Sequence, residues 1–165
     1  MSMRAVQLYA PKANHAQSTK AVARARDWLA SAKGEVTEER AFRLLGLAWA
    51  EADTDTLRVA ARELLALQRS DGGWSQEPSL ESDSYATGEA LTALRESGMA
   101  AADDPAVRRG VEFLLRTQLQ DGSWYVKSRS VPIQVYFESG FPHGADQWIS
   151  AAGTAWAVRA LANVY

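Results

Sequence analysis

The chain has no cysteine, which excludes disulfides, thiolate metal sites and thiol nucleophiles. No segment approaches the length needed to cross a bilayer, and the N-terminus lacks the apolar core of a signal peptide. Charge of one sign is missing too: a net charge of -2 and a pI of about 5.7 give no basic field for nucleic acid or anionic lipid. Neither a P-loop nor a Gly-x-Gly-x-x-Gly fingerprint occurs, so no cofactor is expected. These absences leave the compartment open. The 165 residues suffice for one domain with a real core, and the 47% hydrophobic and 23% charged shares are those of a globular protein.

One pattern occurs twice. Gln68-Arg-Ser-Asp71-Gly72-Gly-Trp74 returns fifty residues later as Gln118-Leu-Gln-Asp121-Gly122-Ser-Trp124. Each copy ends a segment of helical period, with Leu57, Ala60, Ala61, Leu64 and Leu65 before one and Val107, Val111, Leu114 and Leu115 before the other. The Asp-Gly pair is expected to stop the helix, with glycine in the left-handed conformation at its C-terminus. The tryptophan is then free to fold back as an apolar wedge. A helix, stop and tryptophan that recur at a fixed period announce a repeat architecture.

This pattern resembles the QW repeat of squalene-hopene and oxidosqualene cyclases and of protein prenyltransferase subunits, from roughly Gln17 onward, and suggests a C-terminal portion of such a protein. The resemblance implies an α/α toroid, in which the glutamine ties one helix end to the start of the next around a central cavity. Three helical hairpins are then expected, at about 17–52, 53–98 and 104–163, making an all-α arc of about half a toroid as a single module over 1–165. The first hairpin is degenerate, with Ala32 where later repeats have glutamine and Lys33-Gly34-Glu35 as a reduced turn. Its outer helix carries Val22, Ala25, Trp28, Leu29 and Ala32 on one apolar stripe, and Thr37 is expected to cap its inner helix. Asp53 or Asp55 and Asp104-Pro105 read as caps of later outer helices. Thr87 to Leu94 aligns with Thr154 to Leu161 as matching inner helices, and Gly88 there implies close packing. The chain opens with a short apolar segment, Ala5 to Tyr9, and then Pro11, as if entering a larger architecture partway. Three of six hairpins leave both ends of the arc open, so a homodimer or a missing toroid half of a longer protein is the expected partner.

Candidate chemistry centres on Glu81-Ser-Asp83-Ser-Tyr85-Ala86. The resemblance implies a class II terpene cyclase acid at Asp83, since these enzymes carry Asp-x-Asp-Asp-Thr-Ala there and protonate an alkene. Ser84 and Tyr85 depart from that pattern, and Asp83 or Ser82 equally suits a helix cap. Tyr85, Trp49, Trp148 and Trp156 lie on or beside inner helices, where the resemblance implies a ring-lined pocket that holds cations by cation–π attraction. The long stretch 121–146, with an extended segment expected at Val131–Phe137, is the place for a binding surface. It brings His143 beside Asp146 and Glu138, with Gly140 and Gly144 allowing turns around Pro142 and Asp146 capping the last helix. The glutamine, aspartate, glycine and tryptophan of the two motifs are structural, and no metal site is expected without cysteine. The reading is an isoprenoid-binding or cyclase-like module, inactive as this chain alone; the alternative is a non-catalytic scaffold or protein-binding repeat that has lost its acid. A carbohydrate-active α/α barrel would need Asp83 and Asp146 to face each other across a cleft.

Overall fold

The computed structural model describes residues 2–131 and 135–164. Their architecture is all-α. In chain order the helices are α1 (Ser2–Tyr9), α2 (His15–Ser31), α3 (Thr37–Trp49), α4 (Thr54–Leu65), α5 (Ser84–Glu96), α6 (Pro105–Thr117) and α7 (Gln147–Ala162). Two short strands, β1 (Trp74–Ser75) and β2 (Ser82–Asp83), pair antiparallel just before α5. The inner helices α3, α5 and α7 lie side by side with α5 in the middle, and α4 and α6 pack outside α3 and α5. The core of Leu44, Leu47, Leu64, Leu91, Leu94 and Leu114 fills the space between the two rows.

The row of inner helices is close because small residues let it be. A Cβ at Gly88 would stand 2.5 Å from the backbone carbon of Trp156, and one at Gly153 only 2.8 Å from Ser84 Oγ. Asp53 Oδ1 accepts from Thr56 N at 2.9 Å and Asp104 Oδ1 from Ala106 N at 2.8 Å, capping α4 and α6. Thr37 does not cap α3: Val36 holds that position, and the Thr37 hydroxyl donates to the Ser75 carbonyl at 2.6 Å. The Glu39 carboxylate takes the Glu35 N–H instead, at 2.8 Å.

Both QW turns have the same wiring. The Trp74 and Trp124 rings are fully buried. Their indole N–H groups donate to Leu64 O at 3.0 Å and Leu114 O at 2.8 Å, carbonyls of the last helical turn. Their backbone N–H groups go to Thr87 Oγ1 and Thr154 Oγ1 of the following inner helix. Gln68 Nε2 bonds Gly72 O and, 2.8 Å away, Ala106 O at the start of α6; Gln118 makes the local bond to Gly122 O. Gly72 and Gly122 do have positive φ, but not at a helix end. The helices stop at Leu65 and Thr117, and the glycines close turns whose N–H groups reach back to Arg69 O and Leu119 O.

The degenerate first repeat solves the same problem with arginine. Arg43 of α3, buried, donates to Leu29 O at 2.8 Å and Ala30 O at 3.3 Å, the final carbonyls of α2, and pairs with Glu63. Arg40 joins Gly34 O at 2.9 Å to Glu63 O of α4 at 2.6 Å. Leu29 packs on Gly46, whereas Trp28, expected on the same buried stripe, is 68% exposed. The expected extended segment at 131–137 lies partly outside the described residues.

Candidate functional site

On α5 the residues Tyr85, Glu89, Thr92 and Glu96 fall on one face at helical spacing. Thr87 and Leu91 point the opposite way, to Trp74 and to Gly110 of α6, so the stripe faces away from the outer helices. The neighbouring inner helices send rings across it. Phe42 of α3 and Trp156 of α7 meet edge to face, with centroids 6.1 Å apart. Phe42, Leu45, Trp49 and Trp156, together with Leu8 and Tyr9 of α1, line a cavity of about 480 Å³ whose walls also include the charged Arg4, Glu96 and Arg159. Helix α1 is held over it by a bond from Gln7 Nε2 to Trp49 O at 2.7 Å.

Glu89 dominates the electrostatics of this face. It is 1% exposed, and neither carboxyl oxygen has a hydrogen-bond partner. Burial, reinforced by the negative charge of Glu38 on α3 and of Asp83, pushes its pKa up to about 8, and the nearby Tyr85 hydroxyl only partly offsets this. Glu89 therefore holds a proton at neutral pH. Burial and then the charge of Glu89 drive the Tyr85 phenol well above its ordinary value. Asp83 is half-buried, and burial raises its pKa against the bonds it accepts. Its Oδ1 accepts from Ala86 N at 2.9 Å as the cap of α5, and its Oδ2 accepts from Gln76 Nε2 at 2.7 Å.

Of the residues expected to line a pocket, Tyr85, Trp49 and Trp156 belong to the inner-helix face. Trp148, His143 and Asp146 form a second cluster around the start of α7. Trp148 is 56% exposed and stacks on Phe137, centroids 6.4 Å apart. His143 Nε2 lies 2.8 Å from Ser123 Oγ, and the His143 backbone takes φ of 86° between the turn glycines Gly140 and Gly144. Asp146 occupies the position before α7, yet its side chain does not cap the helix. It accepts from Ser128 N and the Tyr125 hydroxyl, each at 2.8 Å, and these bonds hold its pKa below the usual range. Fully buried Gln147 accepts from Ser139 N at 2.6 Å and donates to Phe137 O at 2.8 Å. No group of three potential metal ligands occurs among the described residues.

The repeated turns and the row of inner helices have a counterpart among known proteins. The family described as squalene-hopene cyclase N-terminal domain matches residues 12–118. The chain belongs to the squalene-hopene cyclase family. A relative within that family, the squalene-hopene cyclase of Bradyrhizobium diazoefficiens, is 34% identical over 109 residues, 59% of this chain. The chain spans about 15% of that cyclase's length. The matched family domain is the N-terminal one, so the C-terminal placement suggested by the motifs gains no support from it.

Glu89 escaped the motif-based reading because it belongs to no motif. A signal was present: a lone carboxylate within Thr87-Gly-Glu-Ala-Leu-Thr-Ala-Leu, a stretch otherwise of small and apolar residues. An inner helix with that composition is packed on most sides, and a charged residue within it is buried unless the helix is frayed.

Proposed function

We propose that this chain is a cyclase-like module that binds an isoprenoid chain along its inner-helix face without turning it over. The observation that carries the reading is the cavity between α1 and the rings of Phe42, Trp49 and Trp156. Its aromatic and aliphatic residues suit an unsaturated hydrocarbon, and Arg4, Glu96 and Arg159 add charged groups to the lining. Protonating an alkene would need a carboxylic acid stronger than an ordinary one. Burial weakens both Asp83 and Glu89 as acids, and the Asp83 oxygens are engaged by Ala86 and Gln76. A proton-donating role for Asp83 would require those bonds to be exchanged. The same capping favours, as a second reading, a scaffold that has kept the repeat without the chemistry.

The two readings part in a titration with farnesol followed by tryptophan fluorescence. Isoprenoid binding gives a saturable change that Trp156→Ala weakens about tenfold, the loss expected for one buried ring. No saturable change leaves the scaffold. A ring completed by a second copy or by further hairpins belongs to the same proposal, and mass measured by light scattering over a concentration series tests the second copy.

A further inference from the structure

Three charged side chains stand among the rings of the cavity beneath α1: Arg4 of α1, Glu96 of α5 and Arg159 of α7. Two of them answer each other. Arg159 donates to Glu96 Oε1 from Nε at 3.0 Å and from Nη2 at 2.6 Å, and its guanidinium lies 5.3 Å from the Trp156 ring centroid. Arg4 is left over. Among the described residues its half-buried side chain makes one bond, to Gln7 Oε1 at the long limit of 3.5 Å, and no carboxylate is paired with it. The first turn of α1 holds no acidic residue, so the positive end of the helix dipole adds to Arg4 instead of being offset. Arg4 and Leu8 stand four residues apart on one face of α1, and the cation and the apolar wall therefore border the same space.

We infer that this cavity takes an aliphatic monocarboxylate, with its carboxylate on the Arg4 guanidinium and its chain against Leu8, Leu45, Trp49 and Trp156. A guanidinium fork matches a carboxylate with two parallel, charge-assisted hydrogen bonds. The rings and leucines supply the apolar surface that the rest of such a ligand buries. The lining fixes the number of charges as well as their sign. Arg4 and Arg159 against Glu96 leave one positive charge, which one carboxylate neutralises. A phosphate ester carries more negative charge than that, and its surplus would face the Glu96 carboxylate. A cationic head would meet two guanidinium groups. An uncharged head would leave Arg4 with Gln7 as its partner. Binding exchanges that long bond for two shorter ones, while Gln7 keeps its other bond, from Nε2 to Trp49 O.

The inference rests on the reading of this cavity as a ligand site and adds the head group it selects, without requiring an isoprenoid tail. It is tested on the full chain by calorimetry near pH 7 with octanoate and with octanol, which have tails of equal length and differ in charge. At low salt octanoate is expected to bind about tenfold tighter or more, and added salt should shrink that advantage by screening the arginine. Arg4→Gln is expected to abolish the advantage while octanol still binds, and Arg4→Lys to keep part of it. Octyl phosphate should gain nothing over octanoate. Equal affinity for octanoate and octanol, a preference that survives Arg4→Gln, or a clear gain for octyl phosphate overturns the inference. The octanoate and octanol comparison is read on the unaltered protein, so the test stands even if a variant fails to fold. Should farnesol bind while octanoate gains nothing, this inference fails and the isoprenoid reading survives. An octanoate preference that depends on Arg4, with no binding of farnesol, sinks only the latter, and no binding of any of these ligands removes both.

Discussion

A carboxyl group buried away from water and cations makes the folded chain hold a proton that the unfolded chain gives up. Glu89, with its pKa pushed up to about 8 from 4.5, is that group. Between those values the folded state binds more protons than the unfolded one, so stability falls as pH rises and levels off above pH 8. Burial shifts Asp83 in the same direction, so the clean measurement is a difference. Urea unfolding of the protein and of Glu89→Gln should give similar stabilities near pH 4.5. The variant should gain on the parent through pH 8, by on the order of a few kcal/mol. A constant difference across that range would mean that Glu89 is solvated.

At the scale of a helix, each outer element must dispose of its last carbonyls. α4 and α6 do so with a tryptophan from the following turn, whereas α2 uses Arg43 from the next helix. Arg43→Leu leaves Leu29 O, Ala30 O and Glu63 without this partner, and is expected to cost about 3 kcal/mol in thermal or urea unfolding. An effect below half that would show water replacing the guanidinium. Gly88 gives a prediction whose sign opposes propensity. Alanine is about 1 kcal/mol better than glycine within a helix, yet the added methyl at Gly88 meets the Trp156 backbone at 2.5 Å. Gly88→Ala should therefore destabilise by about 1–3 kcal/mol. Helical periods and the caps at Asp53, Asp83 and Asp104 were legible in the sequence because they depend on near neighbours, and the tight packing at Gly88 because a glycine inside a helix needs a reason. Thr37, Arg43 and Asp146 were misread or missed because their partners, Ser75, Leu29 and Tyr125, lie on separate segments that only the folded chain brings together. The turn glycines were assigned the correct conformation but the wrong place, since both helices end several residues before them.

Across the whole molecule, α7 differs from its fellows in being apolar around much of its circumference while packed on one side. Its matching partner α5 is enclosed between α3 and α7, but Val158, aligned with fully buried Leu91, is 54% exposed. No helix is long and apolar enough to cross a membrane among the described residues. Among the described residues, the connection from α6 to α7 is fastened to α7 near both of its ends. Val126 N bonds Ser150 Oγ at 3.0 Å near one end, and Gln147 holds Phe137 O and Ser139 N near the other. A covalent break between those fastenings would sever the chain without severing the fold. A protease site inserted after Ser130 should thus yield, once cut, two fragments that elute together from a sizing column and separate only in denaturant. Late elution of a free C-terminal fragment would show that chain continuity was required. The same fastenings make this stretch a place where foreign sequence could be spliced in, or where the chain could be expressed as two complementing halves.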